Sequence, residues 1–199
     1  MNAFVIGLLA LAPALTTSAA AGEHPLFAPA RDVAVVYRLA SDTPTGGVPA
    51  PRPDTMTFAY SARIGRMRVD AGVNDYTITD RGAGWTYVVL RAQRSYLVER
   101  ADSAATPAFL LSENATYTRV GDDMVAGLPC TVWRIARQGW EAMGCVSSDG
   151  VILRHVSQIS GGGTASIEAI SVVYSVRPPA LFEPPSGFQR LEMPRPARR

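Results

Sequence analysis

"GLPCTVWRIARQGWEAMGCVSSDGVILRHV", Gly127 to Val156, contains the only two cysteines of the chain, Cys130 and Cys145. β-Branched and aromatic residues on both sides of "RQG" predict two antiparallel strands joined by a tight turn that uses Gly139. A turn centred between Arg137 and Gln138 sets Cys130 directly opposite Cys145, Trp133 opposite Ala142 and Ile135 opposite Trp140. Opposed residues on such strands have Cα atoms about 4.5–5.5 Å apart, within the reach of a disulfide. The competing readings are a catalytic thiol pair and half of a metal site. Redox pairs use C-x-x-C, which is absent. Zinc needs four close ligands, and only His24 and His155 could join the thiols; neither stands in a ligand motif. The expectation is a structural disulfide, with no metal and no cofactor.

The same strand-and-turn rhythm runs through most of the chain. "VAVVYRLA" (Val33–Ala40) reads as a first strand, followed by a Pro/Gly-rich excursion, "SDTPTGGVPAPRPD". In "TMTFAYSARIGRMRVD" the residues Met56, Phe58, Tyr60, Ala62 and Ile64 alternate onto one face. Past Gly65 the apolar parity moves to Met67 and Val69, which predicts a bulge or bend in one long strand at Gly65. "DYTITD", "WTYVVLRA" and "RSYLVERA" follow as three short strands. "PAFLLSEN", opened by Pro107 with Thr106 as cap, predicts one short helix whose Phe109, Leu110 and Leu111 pack on the sheet. Strands resume over Thr118–Val120, Thr131–Arg137, Trp140–Val146, Val151–Ile159 and Ala165–Val176, with "SGGGT" as a hairpin loop and Asp122 and Asp123 at a solvated turn. The expected fold is mainly β: a bent, mostly antiparallel sheet that tends towards a barrel or a deep cup, with one short helix to cover it.

Composition narrows the function classes. The 199 residues are 47% hydrophobic and 18% charged, which suits a domain with a full core. All 19 basic residues are Arg, none Lys; against 17 acids the net charge is +2, and the arginines form no stripe. That charge pattern excludes nucleic acid as a partner. "MNAFVIGLLALAPALTTSAAAGEHP" reads as a signal peptide over residues 1–21, with Ala19 and Ala21 as the A-x-A cleavage pattern. Its apolar run is shorter than the roughly 20 residues a bilayer-spanning helix needs. The expected organisation is a signal peptide at 1–21, one β-rich periplasmic domain at 22–190 with no transmembrane segment, and a mobile basic tail at 191–199.

No nucleophile elbow, zinc-protease motif or phosphate-binding glycine loop is present, and His155 has no Ser, Cys or carboxylate beside it in sequence. A curved sheet rich in aromatic residues can instead fill its interior or leave room for one apolar ligand. Trp85, Tyr87, Phe109, Leu110, Trp133 and Trp140 are the candidates for lining such a cup.

One resemblance supports this reading. "VAGLPCTVWRI…MGCVSSDGVILR", then "ASIEAISVVY" and "PPALFEPPSGFQRLEMP", resembles uncharacterised periplasmic bacterial proteins related to the LolA-type lipoprotein-carrier superfamily. The resemblance implies a strongly curved antiparallel sheet, an incomplete barrel, with one short helix packed on or near its concave apolar face, the face that in the carrier family holds acyl chains. The chain is thus expected to be an exported, non-enzymatic periplasmic protein, with a lipid, acyl chain or lipidated envelope protein as partner. The alternative is a structural or adapter domain of the envelope with a packed core; a third reading is a hydrolase that uses His155.

Overall fold

The computed structural model describes residues 23–42, 53–72, 75–101, 111–158 and 162–192. Within them lie β1 (Val33–Asp42), β2 (Thr55–Ser61), β3 (Arg66–Asp70), β4 (Asp75–Asp80), β5 (Trp85–Leu90) and β6 (Ser95–Arg100). These are followed by β7 (Thr116–Val125), β8 (Leu128–Arg137), β9 (Trp140–Val146), β10 (Ile152–Gln158), β11 (Thr164–Tyr174) and β12 (Gln189–Arg190). All belong to one 12-stranded sheet in the order β12-β6-β5-β4-β3-β2-β1-β11-β10-β9-β8-β7. The sheet is antiparallel except where β12 lies parallel to β6, and it curls without closing. Two meanders, β1–β6 and β7–β11, are therefore joined side by side through the pairing of β1 with β11.

Alternation explains the core. Register aligns Val33, Val35 and Tyr37 of β1 with Tyr60, Phe58 and Met56 of β2, and Tyr60 and Phe58 with Met67 and Val69 of β3. On the other flank the same face continues into Tyr174, Val172 and Ala169 of β11. Val33, Val35, Tyr37, Phe58 and Leu153 are fully buried there, and burying a side chain of this size contributes about 1.5–3 kcal/mol. The phenol oxygen that this places in the interior is satisfied: the Tyr37 hydroxyl donates to the Ile152 carbonyl at 2.7 Å.

The opposite face at the β2–β6 end is covered by the chain's own C-terminal segment. A 3-10 turn, Pro179–Phe182, inserts the fully buried Phe182 against Ala59, Tyr76, Ile78 and Val89. Arg68 lies 3.6 Å above the Tyr76 ring, is held by two hydrogen bonds of 2.7 Å to Asp70, and donates to the Leu181 carbonyl. A third cluster gathers Leu111, Trp133, Ile135, Ala142, Val146 and Ile152, with Phe27 from the N-terminal segment. That segment approaches the β9–β10 loop so closely that a Cβ at Gly150 (φ +85°) would fall 2.5 Å from the Ala28 carbonyl oxygen. Only glycine fits there.

Three sequence expectations need correction. Gly65 is not a bulge within one strand: Ala62–Gly65 is a tight turn, with φ +65° at Gly65, and the segment is the β2–β3 hairpin. Reversal of direction, not an extra residue, changes the parity. Asp122 and Asp123 lie within β7; the turn falls later, at Ala126 and Gly127. Cys130 and Cys145 form the expected disulfide, with Cα atoms 5.4 Å apart, but they are diagonal neighbours. A two-residue turn at Gln138–Gly139 shifts the register, so Val132 faces Cys145, Trp133 faces Gly144, Ile135 faces Ala142 and Arg137 faces Trp140. The helix expected from Pro107, with Thr106, Phe109 and Leu110, lies outside the described residues, as do the signal peptide and residues 193–199.

One carboxylate ties three segments. Asp32 accepts hydrogen bonds from the Ala62 N–H at 2.8 Å, the Arg177 N–H at 2.8 Å and the Ser61 hydroxyl at 3.2 Å. Partial burial acts to raise its pKa, but these donors outweigh it and hold Asp32 below its ordinary value. A depressed carboxylate stabilises the fold above its unfolded pKa of about 3.9, and that contribution is lost as pH falls through the folded value. Asp32→Asn should flatten the loss of stability below pH ~4, measured by urea unfolding across the acid range. Separately, Cys130→Ser/Cys145→Ser should cost about 3 kcal/mol on the chain-entropy scale for the 15-residue separation. Unchanged denaturation midpoints would contradict it.

Candidate functional site

The interior face is packed through its middle and opens at one end, where β1, β10 and β11 run towards the β8–β9 turn. There Leu39 pairs with Ile167, Ile167 with His155, and His155 with Gly144, forming a row across four strands. Gly144 carries no side chain into this row; a Cβ there would approach Ile135 Cδ1 to 3.0 Å. Trp140, first residue of β9, stacks on the His155 ring with centroids 5.9 Å apart and planes 21° apart.

Around this pair the surface is concave. A depression of about 360 Å³ is walled by Leu39, Ala40, Pro53, Ala165, Ile167 and His155, with Asp54 at its edge. A second, of about 520 Å³, shares Ser157 with the first and is lined by Trp140, Met143 and Val156 between Arg134 and Glu141. A third, of about 630 Å³, lies on the other side of Trp140, between Asn114 and Arg137. Such volumes fall in the range of small-ligand sites, about 300–1,000 Å³. The first is predominantly apolar. The other two are flanked by one cation and one anion each, so neither selects strongly for charge.

His155 is the buried titratable group here. Burial lowers its pKa, because the imidazolium would lose water without gaining a partner charge. It is therefore neutral at pH 7, with its ring stacked on Trp140. Among the described residues no group of three or more His, Cys, Asp or Glu side chains is placed to hold a metal ion, and no helix is long and apolar enough to cross a membrane.

The six residues named from sequence do not form one patch. Trp85 and Tyr87 lie with centroids 4.2 Å apart in the cluster under the C-terminal segment, beside Phe182. Trp133 is buried in the cluster that takes up Phe27 and Tyr117. Trp140, 38% exposed, alone stands at the open end. Phe109 and Leu110 are outside the described residues. Sequence reasoning missed Leu39, Pro53 and Ile167 as walls. Their alternation was visible, but their meeting depends on β1 pairing with β11, strands that lie far apart in the chain.

No protein-family model matches the chain, and no curated protein matches it in sequence. Among solved structures, an uncharacterized conserved protein from Thermus thermophilus superposes at a TM-score of 0.55 with 10% identity, covering 81% of this chain and 90% of that one. MucB superposes at 0.51 with 12% identity, covering 80% of this chain and 59% of MucB, so the present chain spans under two thirds of that protein. A LolA superfamily protein from Nitrosomonas europaea also matches, at a TM-score of 0.43 and 7% identity, over 78% and 90% of the two chains. The two superpositions above 0.5 concern the fold alone, which is an open, curled antiparallel sheet.

The depressed pKa of His155 has a stability consequence. Below its unfolded pKa of about 6.5 the unfolded chain takes up a proton that the folded chain refuses, so stability falls as pH drops through the window between the unfolded and folded values. His155→Gln should remove that slope, and proton NMR of the wild type should place the ring's titration below 6.5. A titration at or above that value would contradict the burial argument.

Proposed function

We propose that this is an exported, non-enzymatic binding protein of the cell envelope that takes up an apolar group at the open end of its sheet. The observation that carries the reading is the depression of about 360 Å³ walled by Leu39, Ala40, Pro53, Ala165 and Ile167, adjoining the stacked Trp140–His155 pair. Export is supported by the Cys130–Cys145 disulfide, which belongs to oxidising compartments, and by the apolar leader at residues 1–21. The ligand class this favours is an acyl chain or the apolar part of a lipidated envelope protein. The middle of the sheet is filled by its own side chains, so the group would be held at its end.

Organic extraction of protein purified from the envelope should recover lipid near one equivalent. A fluorescent fatty acid should bind and change Trp140 emission, and Ile167→Arg should weaken binding at least about tenfold by placing a charge in the apolar wall. Absence of binding across several lipid classes would refute the reading.

A second reading has its own observation in its favour. Val33, Val35, Tyr37, Phe58 and Leu153 already fill the interior at 0–1% exposure, as a packed adapter domain requires. Recovery of one defined envelope partner by cross-linking, together with a lipid-free extract, would select it.

A further inference from the structure

The two edges of the sheet are treated differently. At one, the C-terminal segment pairs with β6: the Gln189 and Leu191 N–H groups donate to the Arg94 and Tyr96 carbonyls at 2.9 and 2.8 Å. At the other, β7 runs for 10 residues with β8 on one side and, among the described residues, no strand on the other. A bare edge of that length is a template for another chain. It also carries two large exposed apolar side chains, Val120 at 53% and Met124 at 65%.

The groups this edge presents follow from the hairpin. Ala126 (φ 50°) and Gly127 (φ 74°) both have positive φ, the signature of a two-residue turn in which the flanking Val125 and Leu128 close the ladder. Alternation from that pair turns the backbone of Asp122 and Met124 away from β8; the Met124 N–H donates to the Asp123 carboxylate of its own chain at 2.7 Å, a bond that a partner strand's carbonyl would replace. The register then moves from Gly121↔Val132 to Arg119↔Trp133, leaving Val120 as a bulge. The extra residue resets the alternation, so Arg119 and Tyr117 are the next to face outward. Read along the strand, the outward row is Tyr117, Arg119, the bulge, Asp122, Met124. All four pair with Ile135, Trp133, Thr131 and Pro129, odd-numbered positions of β8, and so share one face. Without the bulge, Arg119 and Asp122, three residues apart, would fall on opposite faces.

That row is self-complementary. We propose that β7 pairs antiparallel with β7 of a second copy of this chain, about a two-fold axis at the Val120–Gly121 bulge. Arg119 then faces Asp122 of the second copy, and Tyr117 faces Met124 of the second copy, each contact made twice. An aromatic ring against a thioether and a cation against an anion are both favourable cross-strand pairs. Within one chain, Arg119 already lies 2.8 and 2.7 Å from the Asp122 oxygens. That pair is exposed and contributes little, so exchanging it for its intermolecular equivalent costs little. A foreign strand with the opposite order of charges would meet like charge at both positions.

Sedimentation velocity of the full chain over a concentration series should show a reversible dimer that weakens with added salt. Arg119→Asp and Asp122→Arg should each weaken it at least about tenfold through like-charge contact, and the double exchange should restore it to within about threefold. In addition, Val120→Cys, lying at the axis, should cross-link two copies under mild oxidation much faster than Val176→Cys, a more exposed position (85%) away from this edge. A monomer at every concentration, failure of the double exchange to restore association, or equal cross-linking at the two positions would each overturn the proposal.

Discussion

The structure depends on the pairing of β1 with β11. Every other antiparallel neighbour in the sheet is a sequence neighbour, so each meander could assemble locally, as hairpins do. Among the described strands, β1 with β11 is the pairing that joins the two meanders, and all 10 residues of β1 find partners in it. The loop between these strands is most of the chain, so its closure entropy must be recovered by apolar burial at the junction. Val33, Val35 and Tyr37 do this on the interior face. The Asp32 carboxylate secures the same junction from its end, since its donors come from the β2–β3 turn and from the backbone just after β11. The open end that forms the candidate site is the other end of this pairing.

How much of this was legible in the sequence follows the same division. Local hairpins were readable because alternation and glycine turns are local signals: β4, β5, β6 and β9 fall where period-two patterning puts them. Signals that depend on turn geometry were off by small steps with large effects. One residue in the centre of the β8–β9 turn moved Cys130 from opposite Cys145 to its diagonal, yet kept both on one face, so the disulfide survived the error. At Gly65 a change of apolar parity fitted either a bulge or a reversal, and only the strand partners distinguish them. The site was the least legible part. Trp133 and Trp140 are seven residues apart, yet one is buried in a core cluster and the other stands at the opening; aromatic content alone carries no information about which.

The disulfide and its surroundings show which forces hold the other meander. Cys130 faces Asp123 of β7, and Cys145 faces Arg154 of β10. Arg154 in turn reaches Asp123 at 2.5 Å and Glu168 of β11 at 2.6 Å. An ion bridge thus runs from β7 to β11 above a covalent link between β8 and β9. The hydrogen bonds and neighbouring charges raise the Arg154 pKa, and the Met124 N–H and the Arg154 hydrogen bond lower that of Asp123, so the Arg154–Asp123 pair is charged at neutral pH. All three side chains are nonetheless between a third and a half exposed, where such pairs contribute little.

The curl of β7 therefore needs an apolar source, and Val125 supplies it. It is 3% exposed at the tip of the β7–β8 hairpin and packs in the same cluster as Cys130, Cys145 and Leu153. Burial of Val125 holds the tip against the core, and the turn at Ala126–Gly127 fixes the register with β8. The consequence for the edge is direct. From Thr116 to Met124 the same strand is largely exposed, so β7 is anchored at its tip and, among the described residues, has no strand along its outer side. An edge strand whose position is fixed by its neighbours, and not by a partner, is already ordered before association. A partner that adds to it then loses little conformational entropy on the side of this chain.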